Sequence, residues 1–294
     1  MNRNEPRERR AEANSGTCSA FPTILAVNKT PHHLLLSVAI VVWTAMTVAC
    51  LTKAYLKPSK NTVFPIYTFA AGEWLAGRDL YVKMPEYDYY RYSPLMAAFF
   101  APWRELSDAW GGVLWRLIGM VILSCGLWRW IRDVLSIERQ DYVAGIYLLV
   151  APFVLQNLHN GQSNVHMLGF LLLGAADAAI GRVWPAALWL ALAGFIKPYV
   201  LAIGGLIAII EPRLFARLTV MLIAGVTMTF LFQRPEYVFD QHFKWFFHFF
   251  ENDRSASAMR DWYRDLQLLF RVYLWPLPPR VYYVGSALIG LGMA

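Results

Sequence analysis

Leu155-Gln-Asn-Leu-His-Asn-Gly-Gln-Ser-Asn-Val-His166 stands between two long apolar runs. From His159 to Asn164 no residue carries an apolar side chain, whereas 142–155 before and 165–180 after read as membrane-buried. Hydrocarbon offers no hydrogen-bond partner, so the polar stretch has to lie at a water interface or in an aqueous cavity, and the flanking runs are separate helices. Gly161 is the expected hinge, and Asn160 or Ser163 the expected caps of the helices beside it.

The composition agrees. Of 294 residues 57% are hydrophobic and 16% charged, against about a quarter charged in ordinary soluble domains. The chain therefore reads as an all-α, polytopic membrane bundle. Cys18, Cys50 and Cys125 have no paired or zinc-like spacing, so they read as small core residues rather than a disulfide or metal framework. The net charge of +7 does not form a basic stripe outside the loops, which points to anionic lipid or lipid phosphate and away from nucleic acid.

Working outward, residues 1–33 open with Arg3, Arg7, Arg9 and Arg10 and read as a disordered cytoplasmic tail ahead of a membrane domain at 34–294. The first span, 34–51, crosses outward. A mixed-charge segment, 53–91, holds a short aromatic helix at 63–75 expected to lie along the interface. The span 110–131 ends near Arg129, Arg132 and Arg139, which place that loop in the cytoplasm. The run 184–210 is apolar except for Lys197 and is too long for one straight crossing of a roughly 30 Å hydrocarbon core. Lys197-Pro198 divides it, because the residue before proline avoids helical geometry; two short arms should meet at Lys197, below the outer surface. The segment 233–280 is a second external loop. The run 281–294 begins another crossing and stops mid-span, so the chain reads as truncated at its C-terminus. On this count every unusual polar feature lies on the external side.

Several of these features can carry chemistry. A lysine mid-run costs about 2.5–3.5 kcal/mol to insert, so Lys197 either snorkels to the interface or faces a cavity where its ammonium neutralises a lipid phosphate. His159, Asn160, Gln162 and Asn164 form either a capped turn or a ligand-binding wall. His166, further in, is either a cavity residue or a helix–helix contact. Glu86-Tyr-Asp-Tyr-Tyr-Arg-Tyr-Ser-Pro94 gathers four tyrosines around Asp88 and Arg91. Such rings serve as an interfacial belt or stack on a sugar, with Tyr90 and Tyr92 in the polar cavity and Arg91 near a phosphate. The segment 242–251 is amphipathic, with Phe243, Phe246, Phe247 and Phe250 on one face, and reads as an interfacial helix. Asp177 reads as structural.

Four motifs in order carry a resemblance: Tyr67-x-x-Ala-Ala-x-x-x-Leu-Ala-Gly77-x-Asp79-Leu-Tyr81, Tyr92-Ser-Pro94, Asn160-Gly-Gln-Ser-Asn164 and Gly194-x-x-Lys197-Pro198. Together they resemble the polytopic GT-C glycosyltransferases of family 87, which include mannosyltransferases that use polyprenyl-phosphate-mannose. Leu114-Trp-Arg116 adds likeness to a bacterial branch of that family. The resemblance implies a GT-C-like bundle with interfacial helices on its external loops. It also implies a bacterial-type cytoplasmic membrane with an external active site, a polyprenyl-phosphate sugar as donor, and a lipid or glycan as acceptor. The aspartate that it leads one to expect near the start of the first external loop is absent: the chain has Asn61-Thr-Val-Phe64 there, and no carboxylate occurs between Leu34 and Glu73.

Transfer from such a donor needs cations for the departing phosphate and a carboxylate for the acceptor's proton. Lys197, Arg91 and His159 suit the first task; Glu73, Asp79, Glu86 and Asp88 are the candidates for the second. No Asp-x-Asp pair is present to clamp a metal-bound nucleotide sugar, so neither metal nor other cofactor is called for. A transporter or lipid flippase, and a family member that binds the lipid without turning it over, are the alternatives.

Overall fold

A computed structural model describes residues 32–84, 87–251, 270, 272–275 and 277–293. The N-terminal tail up to residue 31, Glu86 and the part of the second external loop at 252–269 lie outside the described residues. Those described are helical without a strand: α1 His32–Leu56, α2 Phe64–Leu75, α3 Pro94–Phe100 with a 3-10 turn Ala101–Glu105, α4 Asp108–Asp133, α5 Gln140–His159, α6 Asn164–Ala179, α7 Val183–Ile196, α8 Val200–Ile210, α9 Arg213–Thr229, α10 Pro235–Glu251 and α11 Pro279–Met293. Leu34–Leu56 of α1, together with α4 and α5, are long and apolar enough to cross a membrane, while α6, α7 and α8 are shorter apolar helices.

Local chemistry sets the boundaries. Ser107 precedes α4 and its hydroxyl accepts from the Trp110 amide, satisfying one of the first-turn donors. Prolines open α2 and α3, where a missing N–H costs nothing. The polar break is shorter than the sequence suggests: α5 continues through His159, and α6 starts at Asn164. Lys197 is extended, at φ −142° and ψ 106°, and ends α7. Beyond it α8 folds back as a hairpin arm, with Leu201 against Gly194 and Gly204 facing Leu190 and Leu218. The arms are about 21 Å and 17 Å long, and Lys197 stands at the tip of the hairpin that they form.

α6 lies between α4 and α7, and α1 packs on α4 and α5. The antiparallel order brings the C-terminal ends of α1, α5 and α7 together with the N-terminal ends of α4 and α6. At this end α2, α3 and the 3-10 turn form an aromatic core of Phe64, Tyr67, Trp74, Tyr90, Tyr92 and Phe100 with Trp103 and Trp115. α2 is packed inward rather than merely laid along a surface, since eight of its twelve residues are buried. At the opposite end Arg129 bonds Asp133 and Asp177, and Trp189 donates to Asp177 at 3.0 Å. Asp177 is thus a structural anchor.

α4 and α6 meet backbone to backbone. A methyl on Gly126 would stand 2.5 Å from the Gly169 oxygen, and one on Gly169 would stand 2.7 Å from the Leu123 nitrogen. Because the obstacles are backbone atoms, the helices themselves would have to part. Gly169→Ala is therefore expected to destabilise the bundle by about 1–3 kcal/mol, read as a lower thermal midpoint in detergent; an unchanged midpoint would contradict this packing.

Candidate functional site

The turn between α5 and α6 is held from outside. Gly161 takes φ +66°, a left-handed conformation that glycine adopts without steric cost. Four successive carbonyls at this helix end have partners beyond α5. Leu158 accepts from Arg116 Nε at 2.8 Å, and His159 from Arg116 Nη2 and Lys53 Nζ, each at 3.1 Å. Asn160 accepts from the Thr62 hydroxyl and the Val63 amide, and Gly161 from Trp115 Nε1 at 3.0 Å. A helix C-terminus carries unsatisfied carbonyls and partial negative charge, so two cations are suitably placed there.

Beyond this turn a line of polar groups runs through the aromatic core. The Ser163 amide donates to the Tyr67 hydroxyl at 3.1 Å, and Tyr67 and Tyr92 share a hydrogen bond between hydroxyls at 3.1 Å. Lys197 Nζ stands 4.8 Å from the centroid of the Tyr92 ring, within cation–π range. The Ser93 amide donates to the Phe195 carbonyl at 3.4 Å. One residue from each sequence motif therefore meets here: Tyr67, Tyr92, Ser163 and Lys197. Burial lifts the Tyr67 phenol well above its ordinary range, so it stays protonated. Ser93 and Ser163 are fully buried, and among the described residues their hydroxyls have no hydrogen-bond partner.

Tyr67→Phe tests the line. It keeps the ring but leaves the buried Ser163 amide without its acceptor, which costs about 1–3 kcal/mol. The expected result is a lower thermal midpoint in detergent together with reduced activity; a variant as stable as the parent would show that the bond contributes little.

The other expected residues divide into two groups. Tyr90 is buried and donates to the Ser93 carbonyl at 2.9 Å, so its hydroxyl is committed to the framework. His166 is a helix–helix contact, stacked on Trp115 with centroids 3.5 Å apart and bonded through Nε2 to the Trp115 carbonyl. Asn164 donates to Gln162 at 2.8 Å and to Asn157 at 3.0 Å, and His159 Nδ1 lies 3.3 Å from the Asn160 oxygen. These half-buried side chains form two small groups on the turn, Asn157–Asn164–Gln162 and His159–Asn160. Ser163 precedes α6, but its hydroxyl makes no capping bond.

The three candidate carboxylates among the described residues, Glu73, Asp79 and Asp88, each lie beside a cation. Glu73 is gripped by Arg78 through two bonds of 2.7 Å, and this fork holds its carboxyl below the usual range. Asp79 accepts from the Tyr81 amide at 3.0 Å and pairs with Lys244 of α10 at 2.9 Å. Asp88 pairs with Arg91 at 3.1 Å and keeps half of its side chain exposed; among the described residues the buried Arg91 Nε has no hydrogen-bond partner. α10 clasps this segment further: Gln241 accepts from the Leu80 amide at 2.9 Å and Tyr237 donates to the Arg78 carbonyl at 2.7 Å. Phe239, Phe243 and Phe246 on its outer face are exposed. Asn61, where the aspartate was expected, bonds Lys53 through its carbonyl, and Thr62 beside it bonds Arg116. Among the described residues no group of three or more His, Cys, Asp or Glu could hold a metal ion.

Arg116 enters the sequence reading only in the Leu114-Trp-Arg116 likeness, without a role of its own. Its signal was present, a lone arginine inside an apolar span, but the nearness of Arg116 to the end of that span hid its significance.

A family model, glycosyltransferase family 87, matches residues 90–294. No curated protein and no solved structure matches the chain. The matched range takes in Tyr92, the turn and Lys197; the Tyr67 motif and Thr62 lie before it.

Proposed function

Since the chain belongs to glycosyltransferase family 87, whose members are GT-C type transferases, we propose that it moves a mannose-like hexose from a polyprenyl-phosphate sugar to a lipid or glycan acceptor at the external face of a bacterial-type cytoplasmic membrane. The observation that carries this reading is the line from Ser163 through Tyr67 and Tyr92 to Lys197 at one end of the bundle. No ion pair engages the Lys197 ammonium among the described residues, and it stands where the α7–α8 hairpin reverses. A cation so placed is suited to a phosphate that arrives within the bilayer.

In the proposed reaction the acceptor oxygen bonds to the anomeric carbon as the bond from that carbon to the phosphate oxygen breaks. The electron pair leaves with the polyprenyl phosphate, where Lys197 and Arg91 stabilise the added charge, with His159 at the margin. The acceptor's proton passes to a carboxylate. Asp88 is the favoured base: like Asp79 it accepts from a turn amide and pairs with a cation, but its side chain is 52% exposed against 36% for Asp79 and 12% for Glu73, and the Arg78 fork makes Glu73 a weaker base. Tyr92 with Asn160, Gln162 and Asn164 supplies hydroxyl and amide groups for the sugar, and Tyr90 acts behind them as framework.

The purified full chain should transfer labelled mannose from polyprenyl-phosphate-mannose, with no loss on adding a chelator, and should not use a nucleotide sugar. Activity with the nucleotide sugar alone would refute the donor assignment.

A further inference from the structure

Arg116, which holds the turn between α5 and α6, has no part in the reaction proposed above. It is 2% exposed, and its guanidinium makes four bonds: Nε to the Leu158 carbonyl, Nη1 to the Gly112 carbonyl at 2.9 Å, and Nη2 to the His159 carbonyl and the Thr62 hydroxyl. Every acceptor is neutral, so the planar fork is shaped to helix-end carbonyls and not to a carboxylate. A buried guanidinium that only needed its charge balanced would have an acidic partner; this one spends its donors on fixing backbone. Thr62 multiplies the effect, because the hydroxyl that accepts from Arg116 donates to the Asn160 carbonyl. The packing is close: a methyl on Gly161 would stand 2.8 Å from Nη2. Two residues after Gly161, the Ser163 amide makes the bond that aims the Tyr67 hydroxyl at Tyr92.

We infer that Arg116 is a positioning residue for the transfer reaction, acting through the 158–163 turn to set Tyr67, Tyr92 and, beside the Tyr92 ring, Lys197. The inference rests on the transfer reading and adds to it a residue that need not touch donor or acceptor. Lysine cannot replace it, since a single ammonium cannot reach three separate backbone carbonyls and a hydroxyl in one plane.

The test pairs Arg116→Lys with Tyr67→Phe in the full chain. Arg116→Lys should lower kcat by about 100-fold, the scale of a displacement of about 1 Å, with a much smaller change in the donor KM. In its background Tyr67→Phe should add little, because both variants break the same line. Hydrogen–deuterium exchange should quicken in 156–165 and remain unchanged in 170–179. Full multiplication of the two kinetic effects, or unchanged exchange in 156–165, would overturn the inference. If Arg116→Lys does not fold, Thr62→Val takes its place in the same cycle, with the same outcomes deciding. Exchange is read without turnover, so a wild-type chain that transfers nothing from polyprenyl-phosphate-mannose would sink the transfer reading while the exchange result still judged the coupling of Arg116 to the turn.

Discussion

Lys197→Met is expected to lower kcat/KM for the polyprenyl-phosphate donor by about 100- to 1,000-fold, the usual loss when one pre-organised group facing developing charge is removed. Methionine keeps the length and apolar stem, so the α7–α8 hairpin should survive and the thermal midpoint in detergent should hold or rise, a mid-run charge having been removed. Lys197→Arg should retain part of the activity, because the charge remains while the bulkier guanidinium shifts over the Tyr92 ring. Kinetics with labelled donor measure both. A Lys197→Met variant with full activity would return the residue to a mere snorkelling role.

Asp88→Asn should cost about 100- to 10,000-fold in kcat, the range for loss of a positioned proton acceptor, with a smaller effect on donor binding through the ion pair that Arg91 loses. Glu73→Gln should act differently. It undoes the fork to Arg78 and loosens the segment after α2, so the expected loss in turnover is smaller and is accompanied by lower stability. Because Arg78 holds the Glu73 carboxyl below its usual range, the stabilisation from that fork is complete above the ordinary carboxylate pKa. It is lost only as pH falls through the depressed value. Abolished turnover in a stable Glu73→Gln, together with an active Asp88→Asn, would transfer the base role to Glu73.

Much of the architecture was legible because membrane folding leaves coarse marks. A polar stretch cannot continue an apolar helix through hydrocarbon, so the turn before Asn164 and its glycine were readable. A residue before proline leaves helical geometry, so the division of 184–210 at Lys197 was readable too. Helix ends were less clear: α5 extends to His159 because a histidine at the last turn is as compatible with helix as with loop, and α10 starts at Pro235, before its amphipathic pattern becomes distinct.

The meeting of the motifs was legible only as an order along the chain. Tyr67 and Ser163 are 96 residues apart in sequence, and no periodicity announces that a phenol will accept from a helix-end amide. Arg116 shows the same limit. Its charge in an apolar span called for a partner, but its partners are backbone carbonyls, which every residue possesses and which composition therefore cannot single out. The four tyrosines illustrate the opposite difficulty: Tyr90 and Tyr92 look equivalent in sequence, yet the Tyr90 hydroxyl bonds the Ser93 carbonyl whereas Tyr92 faces Lys197. Likewise Asn61 and Thr62, at the position of an expected acid, are tied to Lys53 and Arg116, which explains how the departure is accommodated without making either residue a base.

The most direct test of the central claim is an experimental structure of the full chain with a polyprenyl phosphate bound. The phosphate is predicted beside Lys197 and Arg91, at the end of the bundle that carries the 158–163 turn, with the prenyl chain leading into the membrane and Asp88 facing the acceptor path. A phosphate bound instead at the opposite end, by Arg129 or Arg213, would contradict the account.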